Sequence, residues 1–340
     1  IFLKTMGSPD IKQIDGIGGT VSSTSKVAVI SPSKLPNTDV DYDFFQVDIL
    51  IPNVDNSANC GNLLAAVGNF AIEEGLVEPK EPETVVRVFN TNTKKIIELH
   101  VQVKDGKPCV EGDTHIGGVP GTGAPIDVYF VNPSGSKTGK LFPTGKSMEV
   151  LDVPGYPPTE VTIVDCANPN VLIPASALGI KGIELVELNN NKQVMQFIET
   201  VRGVAAMKLG FVSKWQDACM ESTSIPKVAI ISQSQDYVDM DGNHVLAEDF
   251  DVCTRAISVG SLHKAIPLTL AAAVGATVKQ EGTIIHKIMK KRKNIHRDVI
   301  RLGHASGVIE IKVVMDKDTI IKVGVVRTAR RIMDGYIYIR

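Results

Sequence analysis

The chain has 340 residues, 43% of them apolar, enough for one large or two medium domains with cores of their own. With 36 basic against 38 acidic residues the net charge is −2, so charge alone gives no pull toward nucleic acid or an anionic membrane surface. The longest uncharged apolar run, AIPLTLAAAVGATV (265–278), is too short for a bilayer span of about 20 residues.

Lys4 and Asp10 bracket a mixed opening segment with no secretory character. Cys60, Cys109, Cys166, Cys219 and Cys253 are odd in number and show no CxxC or Cys/His spacing. That argues against a disulfide framework or a zinc site and predicts reduced thiols in a cytoplasmic protein. No pattern suggests any other metal or a cofactor.

In chain order, the first feature is QIDGIGGTVSSTSKVAVI (13–30). Gly16, Gly18 and Gly19 predict a flexible loop, Ser22, Ser23, Thr24 and Ser25 supply hydroxyls, and Lys26 opens an apolar strand. The pattern resembles a phosphate loop only superficially: GxxxxGK[ST] is absent, and the lysine precedes a strand, not a helix. Lys26 either snorkels at a strand end or is partly buried. SKVAVIS (25–31) and DYDFFQVDILI (41–51) read as strands separated by a turn-rich connection.

NSANCGN (56–62) then runs into LLAAVGNFAIEEG (63–75), whose Leu63, Val67, Phe70 and Ala71 predict one helical face and whose Gly75 predicts the stop. A helix start leaves about four N–H groups unpaired and carries partial positive charge. Asn59 or Asn62 could cap it, and Gly61 admits a ligand to the backbone. Cys60 sits where a thiolate or a bound carboxylate is favoured. The same residues also fit a small buried cysteine in a tight turn.

TVVRVFN (84–90) and KIIELHVQV (95–103) predict a hairpin through TNTK. Between 132 and 160 the composition turns rich in Gly, Pro, Ser and Thr, and YPP predicts a boundary that divides the chain into domains 1–157 and 158–340. EVTIVD (160–165) resumes as a strand. In SVGSLHKA (258–265), Gly260 and Ser261 precede an Ala-rich helix candidate (263–278), with His263 and Lys264 adding polarity and charge. Pro267 blurs the start of that helix.

The basic run KIMKKRKNIHR (287–297) holds no aromatic residue for base stacking and reads as a solvated face, not a nucleic-acid site. GHASG (303–307) is a glycine-bounded loop containing His304, and GVIEIKVVMD and TIIKVGVV pair through KD. Each half therefore reads as a helix followed by paired strands, which suggests a duplicated α/β module.

MGSPDIKQIDGIGGTVSSTSKVAVIS, NCGNLLAAVGNFAIEEGLV, LFPTGK, GHASG and the ending VRTARRIMDGYIYI resemble the family of 2-methylaconitate cis–trans isomerases, 3-methylitaconate Δ-isomerases and 4-oxalomesaconate tautomerases. The resemblance runs from about residue 5 to the last residue. It implies an α/β (α+β) fold of the diaminopimelate-epimerase-like class. That class has two pseudo-symmetric domains, each a curled sheet around a central helix, with the active site in the cleft between them. ANPN (167–170) resembles the entry into the second domain.

Similarity to the family assigns proton transfer to Lys26 and the active-site thiol to Cys60. It gives substrate carboxylates to Asn59, Gly61 and Asn62 and to the opposing Ser261, His263 and Lys264. Ser25, before the lysine, and Gly303, His304 and Ser306 are weaker additions.

Two departures stand out. Two-cysteine epimerases of this fold carry a second cysteine at the opposing helix start; GSLHK has none, which disfavours a two-thiol racemase. Family members also open with a strand and an RGGTSKG-like loop, which the first domain is expected to lack. The implied activity is cofactor-independent isomerisation of a small unsaturated di- or tricarboxylate by allylic proton transfer. A keto–enol tautomerase and a non-catalytic carboxylate-binding protein are the alternatives. A small acid is the expected partner, with no nucleic acid and no membrane, and a homodimer is left open.

Overall fold

The structure is a computed structural model that describes residues 1–57, 59–289 and 298–339. Residues 290–297 of the basic run lie outside the described residues. The chain divides into two compact units. One comprises Ile1–Thr114, Gly123–Val128 and Arg327–Arg340; the other comprises His115–Thr122 and Tyr129–Val326. The division expected at 157/158 falls inside the second unit.

In the first unit, strands β1 (Lys26–Pro32), β2 (Val40–Val47), β3 (Glu83–Asn90) and β4 (Lys95–Lys104) lie side by side in that order. The β1/β2 and β3/β4 pairs are antiparallel, and β2/β3 is parallel. Strand β2 alternates: Val40, Tyr42 and Phe44 are buried, whereas Asp41, Asp43 and Phe45 are half-buried. Helix α1 (Gly61–Glu73) packs against all four strands. Gly75 stops it with a left-handed φ of 68°, as predicted, while the N–H groups of Leu76 and Val77 turn back to the Ala71 carbonyl.

Two of the four residues expected on the core face of this helix lie outside the core. Leu63 is half-buried, with Leu64 fully buried beside it, and Phe70 is 40% exposed. The Arg331 guanidinium lies 5.7 Å from its ring centroid and pairs with Glu73 and Glu74.

After His115–Thr122, the second unit takes up the end of β5 (Ile126–Val131), followed by β6 (Glu149–Leu151), β7 (Thr159–Cys166) and β8 (Asn168–Pro174). Next come β9 (Lys227–Gln233), β10 (Val252–Ser258), β11 (Val299–His304), β12 (Gly307–Asp316) and β13 (Thr319–Arg327). Their spatial order is β13-β12-β11-β10-β9-β8-β7-β6. Strands β8, β9 and β10 are almost wholly buried because helices cover both faces. Helix α2 (Lys192–Lys208) sets Phe197, Ile198 and Val201 against Ile163, Ile173 and Ile230. On the other side lies α3 (Leu268–Val278), every residue of which is buried.

Helix α3 starts later than its Ala-rich run suggests. Pro267 is its N-cap, with an extended ψ of 131°, so the proline precedes the helix and no backbone bond is lost. Gly260 and Ser261 accordingly do not stand at a helix start. Val259 and Gly260, at φ 50° and 71°, make a tight hairpin turn that pairs Ser258 with Ser261.

The two buried helices share a detail. Gly68 in α1 and Gly275 in α3 are each the eighth residue of their helix, within LLAAVGNF and LAAAVGAT. A Cβ on Gly68 would lie 2.6 Å from a Val101 methyl, and one on Gly275 would lie 2.5 Å from an Ile311 methyl. Each glycine thus marks the closest approach of helix to sheet, and the shared AAVG is the strongest sequence trace of duplication. The loop 133–140 has a different anchor. The fully buried Asp165 carboxylate accepts from Ser136 Oγ, Lys137 N, Thr138 N and Thr138 Oγ1 at 2.5 to 2.8 Å. No helix among the described residues is long and apolar enough to cross a membrane.

Alanine is the better helix former by about 1 kcal/mol, yet Gly68→Ala and Gly275→Ala should each destabilise by about 1–3 kcal/mol, because the sheet has no room for the methyl. Urea unfolding measures this; a gain in midpoint would contradict it. Asp165→Ala strands four donors and should cost about 3 kcal/mol or more.

Candidate active site

Lys26 is the first residue of β1, and the loop before it is built rather than flexible. A Cβ on Gly16 would fall 2.1 Å from Gly7 N, on Gly18 2.3 Å from the Gln13 side chain, and on Gly19 2.4 Å from Thr24 Oγ1. These glycines permit close packing; none has a left-handed φ. Gln13, itself buried, donates from Nε2 to Ser25 Oγ at 2.8 Å and accepts from Thr20 N at 2.8 Å. Gln46 Nε2 donates to the carbonyls of Ser22 (3.0 Å) and Ser25 (2.9 Å). Ser25 is fully buried, held from both sides, and acts as a hinge pin for the lysine that follows it.

The register of β1 on β2 decides where the half-buried Lys26 points. Lys26 pairs with Gln46, Ala28 with Phe44 and Ile30 with Tyr42. Paired residues of an antiparallel ladder share a face, so Lys26 lies on the face that carries Tyr42, Phe44 and Gln46. From that face the Tyr42 hydroxyl donates to the Cys60 carbonyl at 3.1 Å. Lys26 and Cys60 therefore belong to one side of one sheet.

Cys60 is the N-cap of α1, half-buried, with extended backbone (φ −114°, ψ 99°). Its side chain makes no capping bond, and its carbonyl accepts the first helical bond from Leu64 N at 3.0 Å. Asn59 is buried ahead of it and Gly61 is buried at the first helical position. The approach to Cys60 is tied down by Asn92, which donates to the carbonyls of Asn56 (2.9 Å) and Phe44 (3.0 Å).

Asn62, expected as a capping residue, takes a different partner. Its Oδ1 accepts from Arg327 Nε at 3.2 Å. Arg327 is buried, and burial pushes its guanidinium down to about 10, still cationic at neutral pH. A cation beside the positive end of a helix reinforces a field that favours anions. Gln13, Tyr42, Gln46 and Arg327 were not legible as site residues. The one signal among them was Tyr42 at a buried position of an alternating strand, where a phenol needs an acceptor.

The remaining expected residues gather in the second unit. The 303–307 loop turns β11 into β12, and Ser306 Oγ donates to the Lys264 carbonyl at 2.5 Å, which joins the two sequence motifs. His304 and Ser306 are buried, His263 is half-buried, and Lys264 and Ser261 are exposed. His304 Nδ1 accepts from Ser306 N at 3.2 Å, and His263 Nδ1 from Ala265 N at 3.2 Å. Tyr237 Oη lies 2.7 Å from the carbonyls of both His304 and Gly307, and burial raises its pKa far above the phenol range. Gly303 lies under the Phe250 ring, 2.6 Å from where a Cβ would stand.

Residues 1–340 match the family described as PrpF protein. The chain is 38% identical over 341 residues to the 3-methylitaconate isomerase of Eubacterium barkeri, covering 100% of this chain and 89% of that protein. It is 36% identical to the 2-methyl-aconitate isomerase of Shewanella oneidensis, covering 99% of this chain and 87% of that one. Among solved structures, a methylitaconate-delta-isomerase superposes with a TM-score of 0.84 at 39% identity, over 99% of this chain and 87% of the other. A hydroxyproline epimerase from Agrobacterium vitis, at TM-score 0.54 and 14% identity over 97% and 78% of the two chains, shares the fold alone. The chain thus belongs to the PrpF family, has the diaminopimelate-epimerase-like fold, and is an isomerase.

Proposed function

We propose that this isomerase shifts or rotates the double bond of a small unsaturated di- or tricarboxylate, of the methylitaconate or 2-methylaconitate type, by allylic proton transfer. The observation that supports the reading is the placement of Lys26 and Cys60 on one face of one sheet, in a chain whose full-length relatives bear those activities. Lys26, in its neutral form, takes a proton from the carbon next to the alkene. The electron pair left behind spreads through the double bond onto a carboxylate. Backbone N–H groups at the start of α1, with Asn59, Gly61 and Asn62, stabilise that dienolate. Proton return at the far end of the allylic system, from Cys60 or Lys26, moves the double bond. Rotation before return at the original carbon gives the cis–trans change.

Arg327 belongs to this proposal as a fixed positive charge near Asn62. Ser25, Gln13 and Gln46 hold the lysine in place. Within the second unit, the Ser306 hydroxyl is committed to the Lys264 carbonyl and His304 Nδ1 to Ser306 N, which gives both a supporting part and leaves Lys264 the exposed cation. The free thiols agree with a cytoplasmic setting, which is part of the same reading.

Methylitaconate, methylaconitate and oxalomesaconate supplied separately in D₂O and followed by NMR identify the substrate and the exchanged position together. Deuterium should enter an allylic carbon of the first or second acid; isomerisation without deuterium uptake would contradict proton transfer to an exchangeable base. Lys26→Ala should lower kcat by about 10³-fold while substrate still raises the thermal midpoint. Near-normal turnover in that variant removes the lysine from the chemistry. Cys60→Ser should lose about 10²-fold, and a loss below about threefold would make the thiol a positioning group.

A further inference from the structure

Cys60 owes its geometry to a residue outside the loop that carries it. Tyr42 is fully buried in β2, and its hydroxyl donates at 3.1 Å to the Cys60 carbonyl, which also accepts from Leu64 N at 3.0 Å. Strand β2 gives the phenol a rigid base. The Tyr42 carbonyl is bonded by Thr91 N (3.0 Å) and Thr91 Oγ1 (3.1 Å), and Tyr42 pairs with Ile30 on one side and Asn90 on the other.

Two donors on one carbonyl oxygen fix the plane of the Cys60–Gly61 peptide. A trans peptide points its N–H opposite to its C=O, so fixing the Cys60 carbonyl also aims the Gly61 N–H, the first of the helix. We propose that Tyr42 is a positioning residue that pre-aims the Gly61 N–H and the Cys60 side chain at the charge that develops during isomerisation. The inference rests on the reading of Cys60 and Gly61 given under Proposed function. Burial holds the Tyr42 phenol protonated well above the usual range, so it remains a donor throughout the working pH of the enzyme.

The carboxylate that faces this donor is already an anion in the ground state and gains further charge in the dienolate, so losing the donor's aim costs mainly kcat, with a smaller rise in KM. Tyr42→Phe keeps the ring, and Leu64 N still satisfies the Cys60 carbonyl, so no buried acceptor is stranded. The experiment compares wild type and Tyr42→Phe in kcat and KM for methylitaconate and methylaconitate from pH 6 to 9, in thermal midpoint, and in the iodoacetamide alkylation rate of each cysteine by mass spectrometry. The expected result is a fall in kcat of about tenfold, with KM within about twofold, the same ratio at every pH and a nearly unchanged midpoint. Cys60 alkylation should change by at least about threefold while the exposed Cys219 serves as an unchanged internal reference.

Unchanged kcat and unchanged Cys60 alkylation overturn the inference, as does a loss expressed wholly in KM. If wild type turns over neither acid, the proposed function fails on its own. The alkylation ratio then still decides whether Tyr42 sets the geometry of Cys60.

Discussion

Pairing of Lys26 with Gln46 puts the lysine on the side of the first unit's sheet that carries Tyr42 and α1. Side chains alternate strictly along a strand, so a one-residue slip of β1 would turn the amine to the opposite face. The chain guards that register heavily. Gln46 holds the carbonyls of Ser22 and Ser25, Gln13 holds the Ser25 hydroxyl, and three glycines let the preceding loop pack tightly enough for both. The direction of the lysine comes from Gln13, Ser25, Gln46 and the three loop glycines.

The thiol is placed by a second, independent set of contacts. Asn92 grips the approach at Asn56, Tyr42 grips the Cys60 carbonyl, and the helix begins immediately afterwards. Both sets converge on β2, whose buried face is Val40, Tyr42 and Phe44. Helix α1 can lie that near the sheet because Gly68 has no side chain at the crossing. The second unit repeats the device with Gly275 against Ile311. Two helices, each with its glycine at the eighth position against a strand of its own unit, are the physical residue of the duplication.

Much of this was legible in the sequence where local chemistry decides the outcome. The strand patterns gave β3, β4, β12 and β13 nearly to the residue and β2 with an overrun of four residues past Val47, and Gly75 ended α1 where a left-handed φ is needed. Legibility failed where a residue's role is set by a distant partner. Gly16, Gly18 and Gly19 read as flexibility because their contacts at Gly7, Gln13 and Thr24 carry no pattern. Pro267 blurred a helix that it in fact introduces. Arg327 could not be linked to Asn62, 265 residues earlier, because the return of the chain to the first unit leaves no composition shift. Local pattern singled out Lys26 and Cys60 and the resemblance implied their roles; the register of β1 on β2 and the Tyr42 bond put them on one side of the sheet.

The central claim is that one small acid meets both groups. Differential labelling tests it directly: acetylation of Lys26 and alkylation of Cys60, each followed by mass spectrometry against rising concentrations of methylitaconate or methylaconitate. The account predicts that both positions are protected by the same acid with the same half-protecting concentration. Protection of one position while the other reacts at its free rate would contradict it.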